Sequence, residues 1–225
     1  EDRMTGARTE IMSNAAKSYV AEQYDAIREQ LASLSGMATD PAAIVVTMEE
    51  LRDAGYLTDS VMTGTTGNAY GQNYRLFMRG VLRSDTSWPQ AVLTQSQIAT
   101  LNTPDSNGIP QLFNSVYDPA AGDDEMDIEA VLISEGGREI PRRRSGTVTS
   151  TSGNPTMGYI AEQPSGEFVA SGNLGSFEMP LAPWAEIGAV PAEGRLLTLI
   201  SLSDGPGVGG SGSASIRGAL RRCED

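Results

Sequence analysis

The feature that most constrains this chain is a one-sided apolar stripe near its beginning. Met12, Ala16, Val20, Tyr24, Ile27, Leu31 and Leu34 follow one another at steps of four or three, while Arg8, Glu22, Asp25, Arg28 and Glu29 lie off the stripe. The spacing predicts one amphipathic helix over residues 4–34, with no proline before Pro41 and with Gly36 placed to take the left-handed conformation that ends helices. Such a helix is roughly 45 Å long, about twice or more the usual globular length. With apolar groups on one side only, it suits an ordinary core helix, a coiled-coil strand or a spine over which a sheet is laid.

Beyond Pro41 the apolar residues Ile44, Val45 and Val46 suit a short extended connection. A second helix follows at once. Thr47 and Glu50 form a T-x-x-E capping box, Met48, Leu51 and Ala54 give an inner face, and Gly55 stops the helix before Tyr56 and Leu57 return to the core. Gly64, Gly67, Asn68 and Gly71 mark a turn-rich loop, with Gly71 at a place where positive φ is needed. Alternation predicts a strand over residues 73–83 with one face buried, Tyr74, Leu76 and Met78 opposing Arg75, Phe77 and Arg79, and Gly80 permitting a bulge. Further strands are expected at 126–134, at 167–170 and, centrally, at 195–202. Prolines break residues 88–119 into short pieces, and 146–183 reads as short strands between tight turns. The expected fold class is α+β: a long N-terminal spine helix on an antiparallel sheet. Residues 1–203 form one globular domain and 204–225 a Gly/Ser-rich tail.

Composition excludes several functions. The chain has 225 residues, enough for one real core, yet only 39% are apolar and 25 are glycine, so much of it is loop and turn. Sixteen basic against 29 acidic side chains give a charge of −13, which repels phosphate backbones and argues against a nucleic-acid partner. The run Arg142, Arg143, Arg144 is a solvated loop, with ion pairing to the acidic stretch near Asp123 as its other reading. There is no histidine, which removes the commonest general base and transition-metal ligand, and the single Cys223 makes neither an intrachain disulfide nor a cysteine metal cluster.

The acidic residues Asp123, Asp124, Glu125 and Asp127 lack the spacing of a calcium loop. Gly205, Gly207 and Gly210 spell G-x-G-x-x-G, but too few residues follow for a dinucleotide fold. Glu49, Glu50, Asp123, Asp124 and Glu139 form no recognisable constellation, and Cys223 beside Arg221 and Arg222 has no visible base. No catalytic, cofactor-binding or metal-binding residue is assigned, no cofactor is expected, and the chain is not expected to be an enzyme. No run of about 18 apolar residues occurs, so a soluble chain is expected. It opens without an initiator methionine, and a segment removed upstream of Glu1 is expected.

Residues 48–57, Met-Glu-Glu-Leu-Arg-Asp-Ala-Gly-Tyr-Leu, followed by residues 68–76, Asn-Ala-Tyr-Gly-Gln-Asn-Tyr-Arg-Leu, resemble the L-x-x-A-G-Y-L … N-x-Y-G-Q-x-Y pattern of the PilV-type shufflon minor pilins of conjugative type IVb pili. The glycine-aromatic segments at 136–141, 158–160 and 172–177 are similar in kind to segments of that family. The resemblance implies a structural pilus subunit, acting in conjugation or adhesion on the cell surface of a Gram-negative bacterium, reached through inner membrane and periplasm. It implies as partners other pilin subunits, the inner-membrane assembly machinery and a recipient-cell receptor, with membrane contact only through an upstream hydrophobic half-helix. Two features depart from the family: one cysteine cannot close its C-terminal disulfide loop, and the large variable domain of the adhesive members is not seen. With that half-helix absent and a charge of −13, a mostly monomeric chain is expected. The other reading is an extracellular carbohydrate- or protein-binding module using Trp88, Tyr117 and Trp184 as a platform.

Overall fold

A computed structural model describes residues 1–34, 36–58, 67–83, 85, 90–104, 106, 108, 110, 126–151 and 156–200. The expected spine is not one helix. α1 (Asp2–Glu22) ends at Gln23, whose φ of −102° and ψ of 16° leave the helical region, and α2 (Tyr24–Ala32) continues as a separate piece ending at Ser33. The stripe does not require the break, since on a straight helix of about 3.6 residues per turn Ile27 stands between Met12 and Val20. At the break the side chains are engaged elsewhere in the fold, Gln23 Nε2 donating to Tyr56 OH and the Tyr24 hydroxyl to Asp127, and such tertiary contact outweighs continuation of the helix. Gly36 is not left-handed and does not end this helix.

The sheet overturns the other half of the expected architecture. Seven strands, all antiparallel, run in the order β1-β2-β3-β7-β4-β5-β6 and curl into a half-barrel, rather than forming a sheet laid over a spine. They are β1 (Ala43–Thr47), β2 (Asn73–Leu82), β3 (Met126–Glu135), β4 (Met157–Glu162), β5 (Phe168–Gly172), β6 (Glu178–Pro180) and β7 (Arg195–Leu199). β7 is the fourth of the seven, as its continuous apolar run predicts. The ladder β2–β3 is unbroken from Asn73↔Glu135 to Leu82↔Met126, so Gly80 makes no bulge. A side chain at Gly80 would put its Cβ 2.9 Å from Met126 Sδ and 3.3 Å from Ile98 Cδ1, and close packing is what requires glycine there.

Short helices fill the connections. α3 (Met48–Asp53) starts at Thr47 with both bonds of the capping box, Glu50 N–H donating to Thr47 Oγ1 and Thr47 N–H to Glu50 Oε2, and its end reverses at Gly55 with φ of 88°. Ala54 is exposed rather than on the inner face. α4 (Gln95–Leu101) carries a second box, Thr94 with Gln97, which buries Ile98 and Leu101. α5 (Ser145–Thr151), preceded by a 3₁₀ turn (Arg142–Arg144), lies where short strands are expected. Its Ser, Gly and Thr content gives weak helix propensity, and packing of Val148 beside α1 outweighs it. A final turn of helix, α6 (Ala182–Ala185), carries Trp184.

Both faces of the sheet are covered. On one, Ile44, Val46, Leu76, Met78, Ala130 and Leu132 pack against Met12, Val20, Ile27, Leu31, Leu51 and Ile98 of the helices. On the other, Phe77, Val131, Ile133, Ile160 and Leu197 are capped by Phe177, Met179, Leu181 and Trp184. β2 is therefore not half-solvated. Its arginines turn inward and hold the cover in place: Arg75 donates to both carboxylate oxygens of Glu135 and to Gly188 O, while Glu135 accepts from Val190 N–H. Arg79, fully buried, faces Glu129 across the ladder, donates from Nε at 2.6 Å, gives Nη2 to Gln90 O and stacks 4.5 Å from the Trp184 ring. Burial pushes the Glu129 carboxyl up in pKa, and Arg79 beside it acts in the opposite sense.

A buried pair broken on one side leaves an unpaired charge, which costs more than removing both partners. Arg79→Met is expected to lower unfolding stability by about 3–5 kcal/mol, and adding Glu129→Met to recover most of that loss. Urea denaturation of both variants checks this, and an equal loss in the double variant would contradict it.

Candidate functional site

A dense polar cluster is built by residues 67–74, the G-N-A-Y-G-Q-N-Y stretch. Asn68 and Gln72 are buried, at 2% and 0% exposure. The chain turns tightly between them: Asn68 Oδ1 accepts from the N–H groups of Tyr70 and Gln72, Gly71 N–H donates to Asn68 O, and Asn68 N–H to Gln72 O. Gly71 sits in this turn with φ of 74°. Gly137 approaches it so closely that a Cβ there would lie 2.5 Å from Gly71 C.

From this turn the side chains reach several other parts of the fold. Gln72 Nε2 donates to Arg138 O and Gly194 O, each at 2.7 Å, and Gln72 Oε1 accepts from Asn68 Nδ2 at 3.0 Å and Ser134 Oγ at 2.8 Å. Ser134 on β3 accepts in turn from Leu196 N–H on β7. Tyr74 on β2 takes a bond from Asn68 Nδ2, and its hydroxyl lies 2.5 Å from Thr9 Oγ1 of α1. Tyr70 OH donates to Asp2 Oδ1 at 2.6 Å, Arg144 lies 3.4 Å from the same hydroxyl, and Arg8 donates to Gly67 O. The start of α1, β2, β3, β7 and the turns at 136–138 and 193–194 thus meet at one polar junction.

Its chemistry is that of a joint. Both carboxamides are neutral, with both protons and the oxygen of Gln72 fully bonded. The Tyr74 phenol is pushed up to about 12 by burial, so it stays protonated near neutrality and offers no base. The Tyr70 phenol is also raised, by burial first and then by its bond to Asp2.

The sequence-level candidates are dispersed. Glu50 is spent on its capping box and Glu49 is exposed on α3. Asp127 accepts from the Tyr24 hydroxyl and from Ile128 N–H. Of the arginine run, Arg144 pairs with Asp2 and Glu1 at 3.5 and 4.0 Å, and Arg143 is exposed. Trp184 is fully buried under Arg79 and is no platform. Trp88, Tyr117, Asp123, Asp124, Glu125, the glycines at 205, 207 and 210, and Cys223 lie outside the described residues. Among the described residues no group of three or more His, Cys, Asp or Glu is placed to hold a metal, and no helix is long and apolar enough to cross a membrane. Sequence reasoning placed Arg8 and Arg28 off the stripe, whereas Arg8 bonds the Gly67 turn and Arg28 is buried, reaching Met126 O and pairing with Asp25. Their i, i+4 relation to Met12 and to Tyr24 was the available signal.

Comparison with protein-family models, with curated proteins and with solved structures finds no match to this chain.

Gln72→Glu is nearly isosteric but supplies no donor for Arg138 O and Gly194 O, and it buries a charge. It is expected to cost about 3 kcal/mol or more, at least as much as Gln72→Ala. Thermal and urea unfolding measure this. Because the Tyr74 pKa is about 12 when folded and about 10 when unfolded, the unfolded chain loses its proton first. Stability is then full below about pH 10 and falls as pH rises from about 10 to 12. Tyr74→Phe should flatten that part of the stability profile while lowering stability at neutral pH.

Proposed function

We propose that this chain is the globular part of a type IV pilin-like subunit, a minor component of a conjugative or adhesive pilus, and that it is not an enzyme. The observation that carries the reading is the use made of the resembling residues. Leu51 and Leu57 anchor α3 in the core, Gly55 reverses the chain, and Asn68, Tyr70, Gly71, Gln72 and Tyr74 build the junction that ties the first helix to the sheet. A pattern spent in this way supports a load-bearing subunit more than a module defined by a reactive cleft. A subunit whose first helix is held in a filament must resist separation of that helix from its sheet. Bonds from Asp2, Arg8 and Thr9 sit at the end of α1 where such a pull would act.

The proposal does not include a long spine helix. Its partners are other pilin subunits, the inner-membrane assembly machinery and a receptor on a recipient cell. The route is through inner membrane and periplasm to the surface of a Gram-negative cell.

Antibodies raised against this chain are expected to decorate surface filaments of the source cell in immunogold electron microscopy and to detect it in the sheared-filament fraction. Recovery of the chain only as free protein in the medium, with bare filaments, would refute the reading.

A further inference from the structure

Between α5 and the β4–β5 pair lies a cleft of about 240 Å³, on the sheet face opposite Phe177 and Trp184. Tyr159 of β4 and Ser171 of β5 are cross-strand partners in its floor, with Gln163 just beyond β4. Arg142, Asn173 and Leu174 also line it. The Tyr159 hydroxyl donates to Ile140 O, which fixes the ring.

Three features of this cleft have no use in the fold. In a chain of charge −13, Arg142 makes no ion pair or side-chain hydrogen bond among the described residues, whereas Arg144, two positions on, is taken by Glu1 and Asp2. Leu174 is fully exposed, at 100%, and has φ of 54° and ψ of 27°. A left-handed leucine is strained, and an exposed one gains nothing from burial, so a turn selected for folding alone would place Gly or Asn there. The amides of Gln163 and Asn173 and the hydroxyl of Ser171 likewise make no side-chain hydrogen bond among the described residues.

We propose that this cleft binds one carboxylate-bearing sugar residue, a uronic-acid unit of an acidic glycan. Arg142 takes the carboxylate by charge-assisted bonds, Gln163, Asn173 and Ser171 take ring hydroxyls as mixed donors and acceptors, and Leu174 covers the apolar face of the ring. The volume lies below the ~300–1,000 Å³ of sites for drug-sized ligands, which fits a single ring. An acidic peptide fits less well. β4 is paired by β7 and β5, and β5 by β4 and β6, so the floor has no free strand edge for a peptide backbone to join. The site stands independently of the pilus reading.

The test is saturation-transfer NMR with competition, using methyl glucuronide, methyl galacturonide, methyl glucoside, acetate and N-acetylglutamate as probes. Wild-type protein is expected to bind at least one of the two uronides in the millimolar range and about tenfold or more tighter than the glucoside or acetate. Arg142→Gln should weaken uronide binding about tenfold or more. Leu174→Gly should weaken it while leaving the melting temperature equal or higher. Arg142 is exposed and unpaired among the described residues, so an unchanged circular dichroism spectrum is expected for its variant. Equal binding of uronide and glucoside, equal competition by acetate or by N-acetylglutamate, unchanged binding in Arg142→Gln, or no transfer to any uronide would each overturn the proposal.

Discussion

The carboxamide of Gln72 is the point on which the helix layer and the sheet depend for their alignment. Two carbonyls, one side-chain amide and one hydroxyl converge on it with no exposure to water. Inside a protein such bonds are strong and their absence is costly, so the junction is stable only when all its members are present. This makes the arrangement all-or-none. α1 cannot shift along β2 without parting Thr9 from Tyr74, and the 193–194 turn cannot move without parting Gly194 O from both Gln72 Nε2 and Ile140 N–H. Hydrophobic contact fixes which faces meet, and the amide network fixes where along them they meet.

The second organising device is the inward-facing arginine. Arg75 and Arg79 occupy alternate positions of β2, where alternation predicts a solvated face, and each instead meets a carboxylate on β3 and a carbonyl of a covering segment. Guanidinium suits this role because it is planar and multidentate and keeps its charge, bridging a ladder below to a loop above and lying over the ring of Trp184 or Phe77. The desolvation is expensive, and the pair at Arg79 is matched by a carboxylate directly opposite. The sheet can thus be covered on its second face by one irregular segment and a four-residue helix.

The strands and the α3 cap were legible in sequence because alternation, β-branching and the capping box act locally. Strand positions at 73–82, 126–135 and 195–199 and the reversals at Gly55 and Gly71 follow from such rules. The helix break was not legible, because the apolar stripe continues in phase through it and the bonds at the break, from Gln23 to Tyr56 and from Tyr24 to Asp127, are distant in sequence. Burial of Thr5, Thr9 and Ser13 on α1 could not be read from hydrophobicity at all, since Thr9 is buried through its bonds to Thr5 O and Tyr74 and all three side chains are small. α4 was hidden by neighbouring prolines although its T-x-x-Q box was visible. α5 was hidden because tertiary packing overrode its composition. As for the junction, glycine and tyrosine spacing drew attention to residues 68–74, while partners more than 60 residues away in sequence, such as Ser134 and Gly194, cannot be read from a single chain.

An open sheet has two edges, and they differ in what they offer to a neighbour. β6 is three residues long, pairs with β5 through Val169↔Pro180 to Ser171↔Glu178, and ends in a proline, which has no N–H. It therefore presents almost no template onto which a strand of another molecule could add, and its exposed Glu178 further discourages such pairing. A protein crowded against copies of itself is in this way protected from runaway cross-β stacking at that end. Any ordered array it joins must then be held together through side-chain surfaces there, not through a shared backbone ladder.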